Sequence, residues 1–176
     1  GRARCCGGRW LEADLVVNAA GAWAPRLFPG LPIVPRKGHL VITDRYPGFL
    51  RHQVIELGYL KSAHALTRES VAFNVQPRRT GQLLIGSSRE LVGWDDSLNG
   101  PLRGRMLRRA TEYLPGLERL RALRTWVGFR PATPDGLPLV GMWEPGLWVA
   151  AGHEGLGVTT APGTADPSLP DQVDVA

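Results

Sequence analysis

The sequence predicts an α+β fold, and three patterns in its 176 residues support that class. Two short apolar runs, residues 13–17 and 147–151, are each followed by small residues, which is typical of buried strands in a parallel sheet. Between them lie several strand-length segments that are separated by turn residues and favour an antiparallel sheet. The chain has only one long helical pattern, over residues 101–121.

The amino-terminal segment is predicted to be irregular over residues 1–12 and to form its first strand over residues 13–17. The small residues of the segment 18–23 then allow close approach of a ligand to the backbone, or alternatively tight packing of a strand against a helix. A short helical turn is expected at Pro25, and Pro29-Gly30 is expected to end it.

The middle of the chain is predicted to be a set of strands followed by a helix. The strands are expected over residues 38–43, 52–60, 70–76 and 82–86, with a hairpin connection over residues 77–81. Apolar residues then recur on one helical face, at Leu102, Met106, Leu107, Ala110 and Leu114. Pro115-Gly116 is expected to end this helix.

The last part of the chain is predicted to be strand and turn over residues 122–150, with strands over residues 124–129 and 147–151. A glycine-rich turn over residues 152–160 follows the final strand and opens a helix. That arrangement is typical of an anion-binding site, or alternatively of a turn without a binding role. Pro167 and Pro170 indicate that the helix does not continue into the tail after Asp166.

Composition and charge exclude several classes of protein. Apolar residues make up 43 % of the chain, which is enough for a hydrophobic core, and the longest apolar run is too short to span a membrane. The only cysteines are the adjacent Cys5 and Cys6, so neither a disulfide framework nor a metal site is expected, and a reducing compartment is predicted. The net charge of +5 results from 19 Arg and 2 Lys against 16 Asp and Glu. The sequence has only one dense run of arginines, with four of them within residues 103–109, and the other arginines are dispersed. We therefore expect no nucleic-acid binding.

One charged residue stands out in an apolar strand. Arg130 follows the segment Trp126-Val127-Gly128-Phe129 and precedes Pro131. Burying a guanidinium there is costly unless it has a partner. A ligand carboxylate or phosphate would fit, and so would an internal salt bridge to Asp135.

Taken in order, these segments resemble the superfamily of FAD-dependent amino-acid oxidases and dehydrogenases, which includes glycine oxidase, sarcosine oxidase, and D-amino-acid and hydroxyproline dehydrogenases. The similar segments are ADLVVNAAGAW (13–23), PRKGHL (35–40), GQLLIGS (81–87), GFRPATPDGLPLVG (128–141) and GLWVAAGHEGLGVTTAP (146–162). The runs PRKGHLVITD (35–44), GYLKSAHA (58–65) and QPRRTGQLLIGSS (76–88) most resemble the β-subunit type of dehydrogenase that acts on hydroxyproline or opine-like amines.

The resemblance implies a partial Rossmann-like FAD-binding domain with an inserted antiparallel-sheet substrate domain. The amino-terminal βαβ unit of the family, with its GxGxxG motif, has no counterpart in the sequence, so we expect a carboxy-terminal part of such an enzyme. The implied organisation is an FAD-domain segment over residues 1–31, a substrate domain over 32–123, a return to the FAD domain over 124–165, and an irregular tail over 166–176.

The resemblance also implies roles for individual residues. The cofactor would be FAD, and the reaction would be hydride transfer from an amino acid or amine to the flavin. Arg130 would bind the substrate carboxylate, and no residue is assigned as catalytic. The expected FAD-binding residues are Ala20, Gly21, Trp23, Gly128, His153, Glu154, Gly155, Leu156, Gly157, Val158 and Thr159.

Partners and location follow from the same reasoning. A small amino-acid or amine substrate is expected, together with partner subunits if the protein belongs to a hetero-oligomeric dehydrogenase. A cytoplasmic location is predicted, and a peripheral position at the inner membrane face stays open. The rival interpretations are a non-catalytic binding or assembly subunit and an inactive gene remnant.

Overall fold

A computed structural model of the chain describes residues 2–4, 7–59 and 67–166. The chain falls into two compact units. The first unit combines the residues up to Pro35 with those from Arg130 onward, and the second unit is Arg36–Phe129. The chain therefore leaves the first unit once and returns to it, as in a domain that carries an insertion.

Ten strands and three α-helices lie in the described residues. In chain order they are β1 (Arg2–Arg4), β2 (Trp10–Glu12), β3 (Val16–Asn18), α1 (Ala24–Leu27), β4 (Val34–Thr43), β5 (Val54–Ile55), β6 (Glu69–Pro77), β7 (Leu83–Glu90), α2 (Gly100–Tyr113), β8 (Ala122–Ala132), β9 (Leu139–Glu144), β10 (Leu147–Ala151) and α3 (Gly157–Thr164). Short 3₁₀ turns occupy Gly21–Trp23 and Pro115–Arg119.

The amino-terminal residues form a hairpin, so the prediction of an irregular segment over residues 1–12 was wrong. Strand β1 pairs antiparallel with β2, with Arg2 opposite Glu12. Gly7 and Gly8 between the strands have φ angles of +92° and +80°, a backbone conformation that side chains with a Cβ disfavour. These two glycines thus allow the chain to reverse. The predictions that involve Cys5 and Cys6 lie outside the described residues.

A three-stranded sheet, in the order β3-β10-β9, forms the centre of the first unit. Strand β3 runs parallel to β10, with Val17 opposite Trp148. This agrees with the prediction that the first strand is of the kind found in parallel sheets, although its partner was not predicted. The strand begins at Val16 rather than at the predicted residue 13, and β9, which pairs antiparallel with β10, was not predicted. The turn residues before β9 end at Pro138, and they obscured the short strand that follows.

One face of this sheet is packed and the other is open. Val149 and Ala151 of β10 pack against α1 and the segment after it, with Ala24, Phe28, Leu31 and Ile33 in the same buried cluster. Side chains alternate between the two faces of a strand. Trp148 and Ala150 therefore lie on the opposite face, which leaves an apolar surface for the candidate site.

The second unit is a five-stranded sheet, in the order β5-β6-β7-β4-β8, with α2 on one face. The pairs β5–β6, β6–β7 and β4–β7 are antiparallel, as predicted. Phe73, Ile85 and Met106 belong to the buried cluster between this sheet and α2. Of the strand predicted over residues 52–60, only Val54–Ile55 is formed, and residue 60 lies outside the described residues.

The long helix ends where the sequence predicts. Asn99 caps α2, because its Oδ1 accepts a hydrogen bond from the Leu102 N–H at 3.1 Å. The helix stops at Tyr113, two residues before Pro115. Of the four arginines in the basic run, Arg105 pairs with Glu69 and Arg109 pairs with Glu56, both at 2.9 Å.

A buried polar network ties the segment before α2 to the sheet. Lys37 is 1 % exposed, and its Nζ lies 3.3 Å from Glu90 Oε2 and 3.0 Å from Asp95 Oδ2. The Lys37 Nζ also donates to the Ser97 carbonyl at 3.0 Å, and Asn99 Nδ2 donates to Glu90 Oε1 at 2.6 Å. Because the contacts with Asp95, Ser97 and Asn99 join the sheet to residues 95–99, the network positions the start of α2.

His39 extends this network. Its Nε2 accepts a hydrogen bond from the Asn99 N–H at 3.0 Å, and its Nδ1 lies 2.8 Å from Ser88 Oγ. The ring is fully buried, and burial lowers the pKa of His39 below its usual 6.5. His39 is therefore neutral at pH 7, with the proton on Nδ1, so its Nδ1–H donates to Ser88 Oγ.

Candidate functional site

The first unit contains an open cleft of about 790 Å³ above the free face of its sheet. Val17 of β3 and Trp148 and Ala150 of β10 line one side of the cleft. The loop after β10 and the start of α3 line another side. A flat apolar floor beside exposed backbone suits a planar ligand that also has polar edges.

Glycine shapes the loop that leaves β10. Gly152 has a φ of +86°, and a Cβ at this position would lie 2.7 Å from Thr133 Cγ2. Both the angle and the space therefore require glycine there. The Glu154 N–H donates to the Pro131 carbonyl at 3.0 Å, which holds this loop against the end of β8. Glu154 itself has a φ of +48°.

The start of α3 has backbone N–H groups that the helix itself does not use. The first hydrogen bond of the helix runs from the Thr160 N–H to the Leu156 carbonyl at 3.0 Å. The N–H groups of Gly157, Val158 and Thr159 precede that bond, so they lie at the positive end of the helix. Gly157 and Val158 also line the cleft. A ligand atom that carries negative charge is stabilised at such a position.

His153 braces the same loop. Its Nε2 lies 2.8 Å from Thr164 Oγ1, at the other end of α3. The side chain is half-buried, and burial lowers the pKa of His153 below its usual 6.5. At neutral pH the imidazole is therefore uncharged, and it orients the loop relative to the helix.

Arg130 lies next to this loop. It is half-buried near the end of β8. A Cβ built on Gly155 would touch Arg130 Nε at 3.6 Å and Cδ at 3.7 Å, so the arginine side chain passes directly beside Gly155. Asp135, the internal partner considered from the sequence, is exposed, and its Oδ1 accepts a hydrogen bond from the Leu137 N–H at 2.9 Å.

The structure brings together part of the predicted binding set. Gly21, His153, Glu154, Gly155, Gly157 and Val158 line the cleft. Ala20, Trp23, Leu156 and Thr159 belong to the same segments but are not among the lining residues. Gly128 belongs to the second unit.

Sequence reasoning missed the floor of the cleft. Leu15, Val17, Ala19, Trp148 and Ala150 line it in addition to the loops. Their spacing of two residues was a usable signal, because alternate residues of a strand share a face. The run over residues 13–17 was instead interpreted as buried throughout, whereas Leu15 is 46 % and Val17 54 % exposed.

Residues 2–4, 7–59 and 67–166 contain neither a candidate metal site nor a candidate membrane-spanning helix. Within these ranges, His, Cys, Asp and Glu side chains form no group of three or more that could hold a metal ion. Within the same ranges, each helix is too short or too polar to cross a membrane.

Comparisons with known proteins agree on one family. The family described as FAD dependent oxidoreductase (DAO) matches residues 2–166. The chain is 32 % identical to glycine oxidase from Pseudomonas aeruginosa over 158 residues, covering 86 % of this chain and 40 % of that protein. It is also 32 % identical to a hydrogen cyanide synthase subunit from the same species, covering 86 % of this chain and 34 % of that protein.

A solved structure gives the same result. The crystal structure of glycine oxidase from Geobacillus kaustophilus matches with a TM-score of 0.73 and 30 % identity, covering 90 % of this chain and 40 % of that one. The chain thus spans about 40 % of the length of the glycine oxidases it matches.

Proposed function

The chain belongs to the DAO family of FAD dependent oxidoreductases, and on this premise we propose that it forms part of an enzyme that oxidises an amino acid or secondary amine. The fold is the α+β fold of FAD-dependent oxidases, and FAD is the cofactor of the family. When bound, FAD supplies the acceptor for the hydride that leaves the substrate α-carbon.

The cleft in the first unit carries this proposal. A methyl group built on Gly21 would enter open space, and Gly21 lines the cleft, so the bare backbone there can approach a ligand closely. Ala19, Ala150 and Gly155 add further small residues to the lining. The residues present therefore fit a large planar cofactor that packs against backbone.

The start of α3 would favour negative charge on this cofactor. The N–H groups of Gly157, Val158 and Thr159 are unused by the helix itself, because hydrogen bonding within it starts at Thr160. Donors of this kind stabilise an anionic acceptor edge when they are fixed before the ligand binds. We propose that they hold the polar edge of the flavin ring.

Arg130 would bind the substrate. Its guanidinium presents paired donors in one plane, which match the two oxygens of a carboxylate. The position beside Gly155, in the loop that lines the cleft, supports this role. No side chain is needed as a base in this proposal, because a neutral amine can lose a hydride directly.

The two units would have different roles in the enzyme. We propose that the first unit is part of the FAD domain and that the second unit is the substrate domain. Partner subunits also belong to the proposal, because one relative is a subunit of hydrogen cyanide synthase.

The test is a titration of the purified chain with FAD, followed by quenching of flavin fluorescence. We expect weak but saturable binding, which Ala150→Trp abolishes because the larger side chain fills the cleft floor. Leu123→Trp is the matched control, since Leu123 is 63 % exposed and lies in the second unit. Equal affinity of wild type and Ala150→Trp would rule out this cleft as the flavin site.

A further inference from the structure

Asn18 is a buried polar side chain at the end of β3. It is 2 % exposed, and in the parallel pairing it lies opposite Val149 of β10. Val149 belongs to the apolar cluster on the packed face of the sheet, whereas Val17 lines the cleft on the other face. Because successive side chains of a strand alternate between faces, Asn18 lies on the packed face and does not line the cleft.

The Asn18 amide joins the two ends of the segment that follows β3. Its Nδ2 donates to the Ala24 carbonyl at 2.9 Å, and its Oδ1 accepts a hydrogen bond from the Ala20 N–H at 3.2 Å. Only this orientation of the amide satisfies both contacts, because the reverse would set oxygen against oxygen at Ala24. The Trp23 N–H also donates to the Ala20 carbonyl at 3.0 Å, so the segment forms a closed loop.

This loop, residues 19–24, has one buried side and one side toward the cleft. Ala22 and Ala24 are 2 % and 0 % exposed. Ala19 and Gly21 line the cleft, and Gly21 has a φ of +56°, a conformation that a free chain has no reason to keep. The hydrogen bonds of Asn18 therefore fix the backbone that forms this edge of the cleft.

Hydrogen bonds of this kind add little to stability overall. A buried amide is removed from water, and the net gain of each hydrogen bond is therefore modest. An apolar side chain of similar size can often replace a buried polar one at little cost in stability, but it cannot bind the loop at both ends. The specific contribution of Asn18 is thus the conformation of residues 19–24.

We propose that Asn18 is a positioning residue for the flavin, because it sets the shape of this loop before the cofactor binds. The inference rests on the proposed function, in which the cleft binds FAD. A loop that is already ordered loses less conformational entropy on binding. Removing the Asn18 amide should therefore weaken FAD binding although the amide itself does not line the cleft.

The first test compares Asn18→Ala with Val149→Ala in the FAD titration and in thermal unfolding. FAD affinity should fall about tenfold or more in Asn18→Ala, which leaves both ends of the loop unbound. Val149→Ala is the matched control, because Val149 lies opposite Asn18 and is 0 % exposed but makes no loop contact of this kind. It should lower the melting temperature at least as much and change FAD affinity by less than about threefold.

The second test is the conservative variant Asn18→Asp. At about pH 8 its carboxylate can still accept from the Ala20 N–H but has no proton to donate to the Ala24 carbonyl. Burial raises the pKa of a carboxyl group, so at about pH 5 the side chain is protonated and its O–H can donate to that carbonyl. The affinity for FAD, relative to the wild type at the same pH, should therefore recover as the pH falls.

Hydrogen exchange of the loop provides a measurement without FAD. The peptide that contains residues 19–24 can be followed by mass spectrometry in the wild type and in both Asn18 variants. In Asn18→Ala the Ala20 and Trp23 amides should exchange about tenfold faster or more, because the loop opens more often. Val149→Ala should leave the exchange of this peptide closer to that of the wild type.

Several results would overturn the proposal. Unchanged exchange of the loop in Asn18→Ala would mean that the amide does not hold it. Faster exchange with wild-type FAD affinity, or equal losses of affinity in Asn18→Ala and Val149→Ala, would make Asn18 merely structural. If Asn18→Ala does not fold, the pH dependence of Asn18→Asp decides. Faster exchange in Asn18→Ala together with no FAD binding by the wild type would overturn the proposed function and the flavin role, but not the fixed loop.

Discussion

Replacing Lys37 with Met should lower the free energy of unfolding by about 3–5 kcal/mol, the usual cost of removing one partner from a buried ion pair. The Lys37 and Glu90 side chains are 1 % and 5 % exposed, and the Nζ–Oε2 distance is 3.3 Å. Methionine preserves most of the volume of lysine but leaves the Glu90 carboxylate buried without its cation. The hydrogen bond from Lys37 to the Ser97 carbonyl is lost as well.

The control is an ion pair of similar length on the surface. Arg105 and Glu69 lie 2.9 Å apart, with side chains that are 45 % and 42 % exposed. Arg105→Met should therefore cost only about 0–1 kcal/mol. Both variants can be compared with the wild type by urea unfolding, followed by circular dichroism at 222 nm. Equal losses in the two variants would refute the argument that burial decides the cost.

A double variant separates the charge from the packing. Lys37→Met combined with Glu90→Gln removes both charges, and the glutamine oxygen can still accept the hydrogen bond from Asn99 Nδ2. The double variant should be more stable than Lys37→Met alone, because no unpaired charge stays buried. If the loss of stability in the double variant equals the sum of the losses in Lys37→Met and in Glu90→Gln, the two residues are not coupled and the network does not act as a unit.

Other outcomes are expected for the fold and for the candidate site. Gly152→Ala should destabilise the first unit by about 1–3 kcal/mol, because the added Cβ would meet Thr133 Cγ2 at 2.7 Å; an unchanged melting temperature would contradict this. Urea midpoints should be constant above about pH 6.5 and fall below it, since burial lowers the pKa of His39 and of His153 in the folded state and only the unfolded chain then takes up protons at these side chains. His39→Asn should make this fall smaller, and an unchanged fall would contradict the contribution of His39. The purified chain should lose FAD during gel filtration, because the sequence has no GxGxxG motif to hold the pyrophosphate. It should also self-associate, because the sheet face around Val17 is apolar and exposed. A yellow monomer would contradict both expectations. In an FAD-loaded, active form of the protein, Arg130→Lys should raise KM for a carboxylated amine by about 10- to 150-fold and for its decarboxylated analogue by less; equal losses with a lower melting temperature would make Arg130 structural.

Long, regular elements could be predicted from the sequence because local signals agree with the fold there. The apolar face of α2 and its end before Pro115 are both encoded within a few residues, and so is the hairpin turn after β6. The amino-terminal hairpin was missed because Trp10 and Leu11 are 60 % and 57 % exposed, so no apolar periodicity marks their strand. Its signal is the Gly7-Gly8 pair, whose positive φ angles cannot be seen in composition.

The sequence predicted the part of the candidate site in which the backbone conformation requires glycine. It did not predict the part that is formed by contacts between residues far apart in the chain. Gly155 and Gly157 were identified because a glycine-rich turn between a strand and a helix is a local pattern. The apolar floor required knowing that Val17 lies opposite Trp148, two residues that are more than 130 positions apart in the chain. The same limit applies to Arg89. Its burial and its contact with Tyr59 depend on parts of the chain outside its own strand, and nothing within that strand distinguishes it from the dispersed surface arginines. The burial of a cation in a sheet can therefore be recognised only after the sheet register is known.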